Sequence, residues 1–343
     1  MTSPMGWTMG DYHVGSTADR DGNRGSAKPP PAEGVRLHWE EVPGRVRAEI
    51  ERWLGSSVVK VESQPTGFSP GMAAGVRTAS GRRVFVKTIG PEPNPAGPSI
   101  HRREATKVAA LRAVPSVPEL LWSHDEGDQG WVTLVFQEIE GRNPAQPWRT
   151  DEYERVVEAL AELSVDLTPS PLSPESAGTA AENFEIRFHG WQDFRDQQDG
   201  HTKGLDSWSA RNLRELAHLE AAVVDAVDGD TLLHFDIRAD NILLSPDRVW
   251  FVDWPHACVG APWIDIVAFA PSVAMQGGPP PQDVIARHPA CRTADPDAIT
   301  AVVVAMAGYF THGSLPGLPT LRAFQAAQGL VARKWAARRT GWF

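Results

Sequence analysis

The sequence predicts an α+β chain in two lobes, and three observations carry that expectation. Runs of strand type crowd into residues 58–139, with one helical stretch among them. From Thr150 onward apolar residues recur mainly at helical spacing. Inside that second part, residues 232–244 set two apolar runs around a polar loop, and 249–254 add a short β-type run that delivers a carboxylate. At 343 residues the chain is long enough for two lobes with cores of their own. The expected division is a disordered or loosely packed leader over 1–34, a first lobe over 35–141 and a second over 142–343.

Composition narrows the class. Hydrophobic residues at 41% and charged residues at 22% are those of a soluble globular protein. A net charge of -10 argues against a general nucleic-acid binder and is compatible with a cationic small ligand. Cys258 and Cys291 are too few for a cysteine zinc site, and nothing suggests a secreted disulfide framework. There is no basic-then-apolar signal at the N-terminus and no stretch of about 18 apolar residues to span a bilayer. The expectation is a cytoplasmic protein with no membrane partner.

In chain order, residues 1–34 are rich in Gly, Ser, Pro, Asp and Arg without apolar periodicity, ending in Pro29-Pro30-Pro31. Trp39, Val42, Val46, Ile50, Trp53 and Leu54 then recur at helical spacing, and Gly55 suits the stop. Strand-type runs at 58–62 and 83–87 flank a glycine-rich turn, Gly67-Phe68-Ser69-Pro70-Gly71. Such a turn lets backbone N–H groups approach phosphates, although an ordinary hairpin uses the same punctuation. Lys87 ends the second run, and seventeen residues later Glu104 falls in the helical stretch 99–114. Two strands follow, 118–122 and 130–141, around an Asp/Gly turn.

The second lobe opens with a helix carrying Tyr153, Val156, Val157, Leu160 and Leu163. Residues 166–206 show no clear period. Their acids, Glu182, Glu185, Asp193, Asp196 and Asp199, read either as a face for an amine-bearing ligand or as solvated surface. Helical patterns return at 209–227, 298–310 and 318–336, with Trp335 and Trp342 expected to pack. Between them lies the chemistry. The loop offers the carboxylate of Asp236 and, five residues on, the amide of Asn241; the next strand brings Asp253. An alcohol kinase needs this set: one group to orient the hydroxyl, and two oxygen ligands for Mg²⁺ on ATP phosphates. Three loop polars and a strand-end cap are the plain alternative.

His234-x-Asp236-x4-Asn241 followed by Asp253 resembles the catalytic loop and metal-binding Asp of the kinase-like superfamily, closest to its aminoglycoside phosphotransferase (choline-kinase-like) branch. The glycine turn is similar to that branch's Gly-x-Ser-x-Gly phosphate loop and unlike G-x-G-x-x-G. The resemblance implies a bilobal protein-kinase-like fold: a small N-lobe with an antiparallel sheet plus helix, and a larger, mostly helical C-lobe. It implies ATP and Mg²⁺, with Gly67, Ser69 and Gly71 at the phosphates and Lys87 paired to Glu104. Backbone groups near Gln137 and Ile139 would meet adenine, Asn241 and Asp253 would hold the metal, and Asp236 would serve the acceptor hydroxyl. Arg238 would either stabilise the transferring phosphate or pair with Asp240. His234 and Asp265 would brace the loop, and Phe235 replaces the glycine common at its position. Asp265 follows Asp253 by only twelve positions, too few for the activation segment of a regulated protein kinase. The implied acceptor is a small hydroxylated molecule, glycosylated or amine-bearing, most plausibly an aminoglycoside or other sugar-containing antibiotic. A metabolic kinase for an amino sugar or choline-like alcohol is one rival, and a catalytically silent nucleotide-binding module the other.

Overall fold

The computed structural model describes residues 36–64, 71–92, 95–196, 205–315 and 319–342. Helix α1 (Gly44–Leu54) ends at Gly55, whose φ of 71° is the left-handed stop its position calls for. Strands β1 (Val58–Ser63), β2 (Met72–Thr78) and β3 (Arg83–Ile89) lead into α2 (Gly97–Ala109), and β4 (Leu120–Asp125) and β5 (Val132–Phe136) complete a sheet of order β1-β2-β3-β5-β4. Every pairing in it is antiparallel, with Gly75 opposite Phe85 and Lys87 opposite Leu134.

Side chains alternate across the sheet, so its two faces differ. Ala74, Val76, Val84, Val86 and Val135 bury one face against Val46, Ile50 and Leu54 of α1. Lys87, two residues beyond Phe85, falls on the other face. Helix α2 ends five residues earlier than its pattern suggests. Pro115 disfavours helix in the residue before it, and 110–114 continue as i→i+3 turns instead.

The C-terminal part begins with α3 (Thr150–Asp166) and continues through α4 (Pro174–Ala177), α5 (Ala180–Arg187) and α6 (Gly190–Asp196). Residues 166–196 are therefore less irregular than the sequence suggested. Helix α5 starts on a capping box in which Thr179 and Glu182 satisfy each other's backbone N–H, and these helices are too short to show a period. The stretch 209–227 is divided among α7 (Ser207–Arg211), α8 (Leu213–Ala221) and α9 (Val223–Ala226).

Four short strands then build the centre. β6 (Thr231–Leu233) pairs with β9 (Cys258–Gly260), and β7 (Ile242–Leu244) pairs with β8 (Val249–Phe251). These ladders hold loop 234–241 beside loop 252–257. Helices α10 (Ile264–Met275), α11 (Pro281–Ala286), α12 (Pro289–Thr293), α13 (Pro296–Gly313) and α14 (Pro319–Thr340) complete the lobe, with α13 packed on α14, α6 and α8. Among the described residues no helix is long and apolar enough to cross a membrane. The leader, Gly67 and Ser69 lie outside the described residues.

Candidate functional site

Lys87 is the junction of the two lobes. Its Nζ donates to Glu104 Oε1 of α2 at 2.7 Å and to Asp253 Oδ1 at 2.8 Å. Burial works against the ammonium, but the two carboxylates outweigh it and raise its pKa above the usual lysine value. Burial likewise opposes ionising Asp253, yet Lys87 holds that carboxyl well below the ordinary carboxylate range. Glu104 is almost fully buried, and its carboxyl is pushed up by that burial. The strand lysine and helix glutamate meet as the resemblance implies.

The catalytic-type loop is braced at both ends. Asp265, at the start of α10, accepts the backbone N–H of His234 at 2.7 Å and of Phe235 at 2.8 Å. The buried His234 ring lies 2.9 Å from Val252 O and accepts Asp236 N–H on Nδ1 at 3.3 Å, which makes Nε2 the donor to Val252. Val252 N–H in turn donates to Asn241 O at 3.0 Å. The residue before Asp253 is thus tied to both sides of the loop that carries Asp236. Asn241 Nδ2 donates to the Asp236 carbonyl at 2.9 Å and to its Oδ2 at 3.2 Å. Burial pushes the Asp236 carboxyl up, and Arg238 offsets part of that. Arg238 makes the expected two-point pair with Asp240, at 3.1 and 2.9 Å, and also a 3.2 Å bond to Asp236.

Phe235 and Asp253 take φ of 64° and 72°. The left-handed region costs a bulky residue about 1–2 kcal/mol, which is why a glycine would be at ease at position 235. Here the ring packs edge-on to Phe184 and Phe188 of the α5 region, at 5.5 and 5.9 Å, and that contact offsets the strain.

The hinge and the phosphate turn are only partly as expected. Gln137 N–H is taken by Glu119 O at 2.9 Å, so only its carbonyl is left for a base edge, whereas Ile139 N–H has no partner among the described residues. An open hollow of about 650 Å³ lies against this strand end, lined by Arg83, Glu138, Ile139, Arg142 and Leu244. Gly71 has a packing reason to be glycine: a Cβ there would come within 2.7 Å of Thr88 O on β3.

Two residues escaped the sequence reading. His101, one turn before Glu104 on the same face of α2, is 6% exposed, and neither ring nitrogen has a partner among the described residues. Burial, then Lys87, lowers its pKa to about 3. Arg36 lies within electrostatic reach of Asp253 and Asp240. The i, i+3 spacing of His101 from Glu104 was the available signal; Arg36 offered none.

A metal at this site would meet oxygen donors only, the Asn241 amide and the ionised Asp253 carboxylate. Such a set suits a hard cation that brings phosphate and water ligands with it. Among the described residues no group of three or more His, Cys, Asp or Glu side chains forms a metal cage by itself.

A family model described as the Phosphotransferase enzyme family (APH) matches residues 75–300. No curated protein matches the chain. Among solved structures, choline kinase LicA from Streptococcus pneumoniae is similar at 14% identity, over 87% of this chain and 98% of that one, with a TM-score of 0.56. Amicoumacin kinase hAmiN, in complex with AMP-PNP, Ca²⁺ and Ami, aligns at 10% identity over 87% and 96%, with a TM-score of 0.54. Spectinomycin phosphotransferase APH(9)-Ia, in complex with ADP and spectinomycin, aligns at 13% identity over 85% and 98%, with a TM-score of 0.52. At these identities the likeness shows the bilobal kinase-like fold.

Proposed function

This chain belongs to the phosphotransferase enzyme family and is a small-molecule kinase with a hydroxyl acceptor; on that premise we propose that it transfers the γ-phosphoryl group of ATP, in the presence of Mg²⁺, to a sugar-containing small molecule of the kind found among glycosylated antibiotics. The observation that carries this reading is the Lys87 bridge between Glu104 and Asp253, next to a loop in which Asp236, Asn241 and Arg238 are hydrogen-bonded together. A silent nucleotide-binding module would have no need of the whole set. The nucleotide-bound complexes of the spectinomycin and amicoumacin kinases support ATP as donor, and the cytoplasm is where ATP is at hand.

The roles follow from the charges. Lys87 keeps Glu104 and exchanges Asp253 for α- and β-phosphate oxygens, which leaves Asp253 free to act with Asn241 as metal ligand. Mg²⁺, when bound, offsets the phosphate charge as the transition state spreads it. Asp236 accepts the acceptor hydroxyl's hydrogen bond and aims its oxygen at the γ-phosphorus. Because this transition state is loose, orientation by a fixed loop contributes more than early proton removal. The Asp265, His234 and Asn241 bonds supply that fixity. Arg238, already touching Asp236, adds positive charge at the transferring group.

The test is coupled ADP release with Mg-ATP across aminoglycosides, other glycosylated antibiotics, amino sugars and choline-like alcohols. Acceptor-dependent turnover confined to sugar-containing compounds supports the reading. Turnover of choline-like alcohols alone would contradict it.

A further inference from the structure

Beside the catalytic loop stand three cations without a carboxylate partner among the described residues. Arg103 and Lys107 stand one turn apart on α2, on one side of that helix. Lys107 Nζ donates to the carbonyl oxygens of Pro255 at 3.0 Å and Ala257 at 2.5 Å, which ties it to the segment after Asp253. From the other lobe comes Arg187, the last residue of α5. Its Nη1 lies 3.4 Å from His256 Nδ1 and its guanidinium carbon 5.8 Å from the Phe235 ring centroid.

Among the described residues none of the three cations pairs with a carboxylate. Arg103 makes one long bond, 3.5 Å to Ser99 Oγ, and Arg187 Nε is buried without a partner. The acid whose field is felt here is Asp253, already bound to Lys87. Burial, and then Arg103 and Arg187, lower the Lys107 pKa to about 8, as expected where cations crowd together.

Of the acids that read either as an amine-facing surface or as solvated surface, three are engaged elsewhere and Glu185 is exposed. Glu182 caps α5, Asp193 pairs with His189 and Asp196 with Arg195, while Asp199 lies outside the described residues. Next to Arg187 the surface is aromatic, with Phe188 stacked on Tyr309 at 4.6 Å and packed against Phe235. Phe235 immediately precedes Asp236.

We propose that Arg103, Lys107 and Arg187 form an oxyanion site beside the catalytic loop that holds a carboxylate or phosphate group. Guanidinium forks from two lobes match such a group in geometry as well as charge. The neighbourhood of Asp236 points to the acceptor as its source, so the preferred acceptor is an anionic sugar derivative and not a polycation. This rests on the kinase reading above.

Two arms test it. In the first, calorimetry measures inorganic sulfate binding to wild type, Arg103→Gln and Arg187→Gln, each saturated with Mg-AMP-PNP so that Lys87 is engaged. Sulfate should bind wild type, and each substitution should raise its Kd at least about tenfold, the loss of one charge-assisted contact. In the second, ADP release compares acceptors in pairs differing only by one carboxylate or phosphate. Arg187→Gln should raise KM for the anionic member at least about tenfold more than for the neutral member, with little change in kcat. Sulfate binding that stimulates neutral acceptors would keep the site but make a free oxyanion its ligand, overturning the acceptor assignment. No sulfate binding, with equal KM within pairs, would overturn the site. AMP-PNP affinity, read in the same titrations, reports separately on the kinase reading: its absence would remove that reading whatever sulfate does.

Discussion

The nucleotide side of the cleft and its acceptor side handle buried charge in opposite ways. At Lys87 one cation sits between two carboxylates, with 14% of the lysine side chain and 2% of Glu104 exposed. Around Arg187 three cations meet backbone carbonyls, a histidine and aromatic rings, and Glu220 beneath α6 is a buried acid held by the backbone N–H groups of Trp191 and Gln192. Internally paired charge is balanced within the fold before ligand arrives. Unpaired charge costs stability and is retained where a ligand completes it.

The sharpest way to break the comparison is Lys87→Ala. It leaves Glu104 without its cation in a dry interior, and removing one partner of such a pair costs about 3–5 kcal/mol. Urea unfolding should show that loss, together with lower kcat/KM for ATP. Unchanged stability would mean that the cradle is not held by this bridge.

On the acceptor side the corresponding test is pH. Burial raises the Glu220 carboxyl from its ordinary 4.5 to about 7, although Trp191 and Gln192 N–H groups donate to it. The folded pKa lies above the unfolded one, so the unfolded chain ionises first. Stability should therefore fall as pH rises from about 4.5 to about 7, by about 3 kcal/mol from this group. Glu220→Gln should flatten that part of the Tm–pH curve; an unchanged slope would place the titration elsewhere.

The smallest effect concerns a buried imidazole on the nucleotide side that has no hydrogen-bond partner among the described residues. His101→Leu removes a buried imidazole with no hydrogen bonds and should raise stability by about 1 kcal/mol. A lowered urea midpoint would show that the ring has a partner in solution.

What the sequence made legible follows the same division. Asp236, Asn241, Asp253 and Asp265 lie within one short span because two neighbouring loops and the following helix start carry them, so their spacing survives as a pattern. Lys87 and Glu104 are separated by a strand end and one helix, again a local distance. The acceptor side has no such signature. Arg103 and Lys107 come from α2, Arg187 from α5 and Tyr309 from α13, and only the folded chain gathers the cations near His256 and the rings near Phe235. The capping box of α5 was readable as Thr179 and Glu182 three apart, yet without a period behind it the stretch read as loop. Gln137 shows another limit: hinge contacts use backbone groups, and only the sheet reveals that its N–H is taken by Glu119.

The central claim is that Asp236 orients the acceptor hydroxyl while the nucleotide side binds independently of it. Asp236→Asn tests this directly, with Mg-AMP-PNP affinity by calorimetry and acceptor-dependent ADP release measured on the same preparation. The account predicts nucleotide affinity near wild type and kcat lower by about 10²–10⁴-fold, the range for a positioned base. Near-wild-type kcat at saturating acceptor would contradict it.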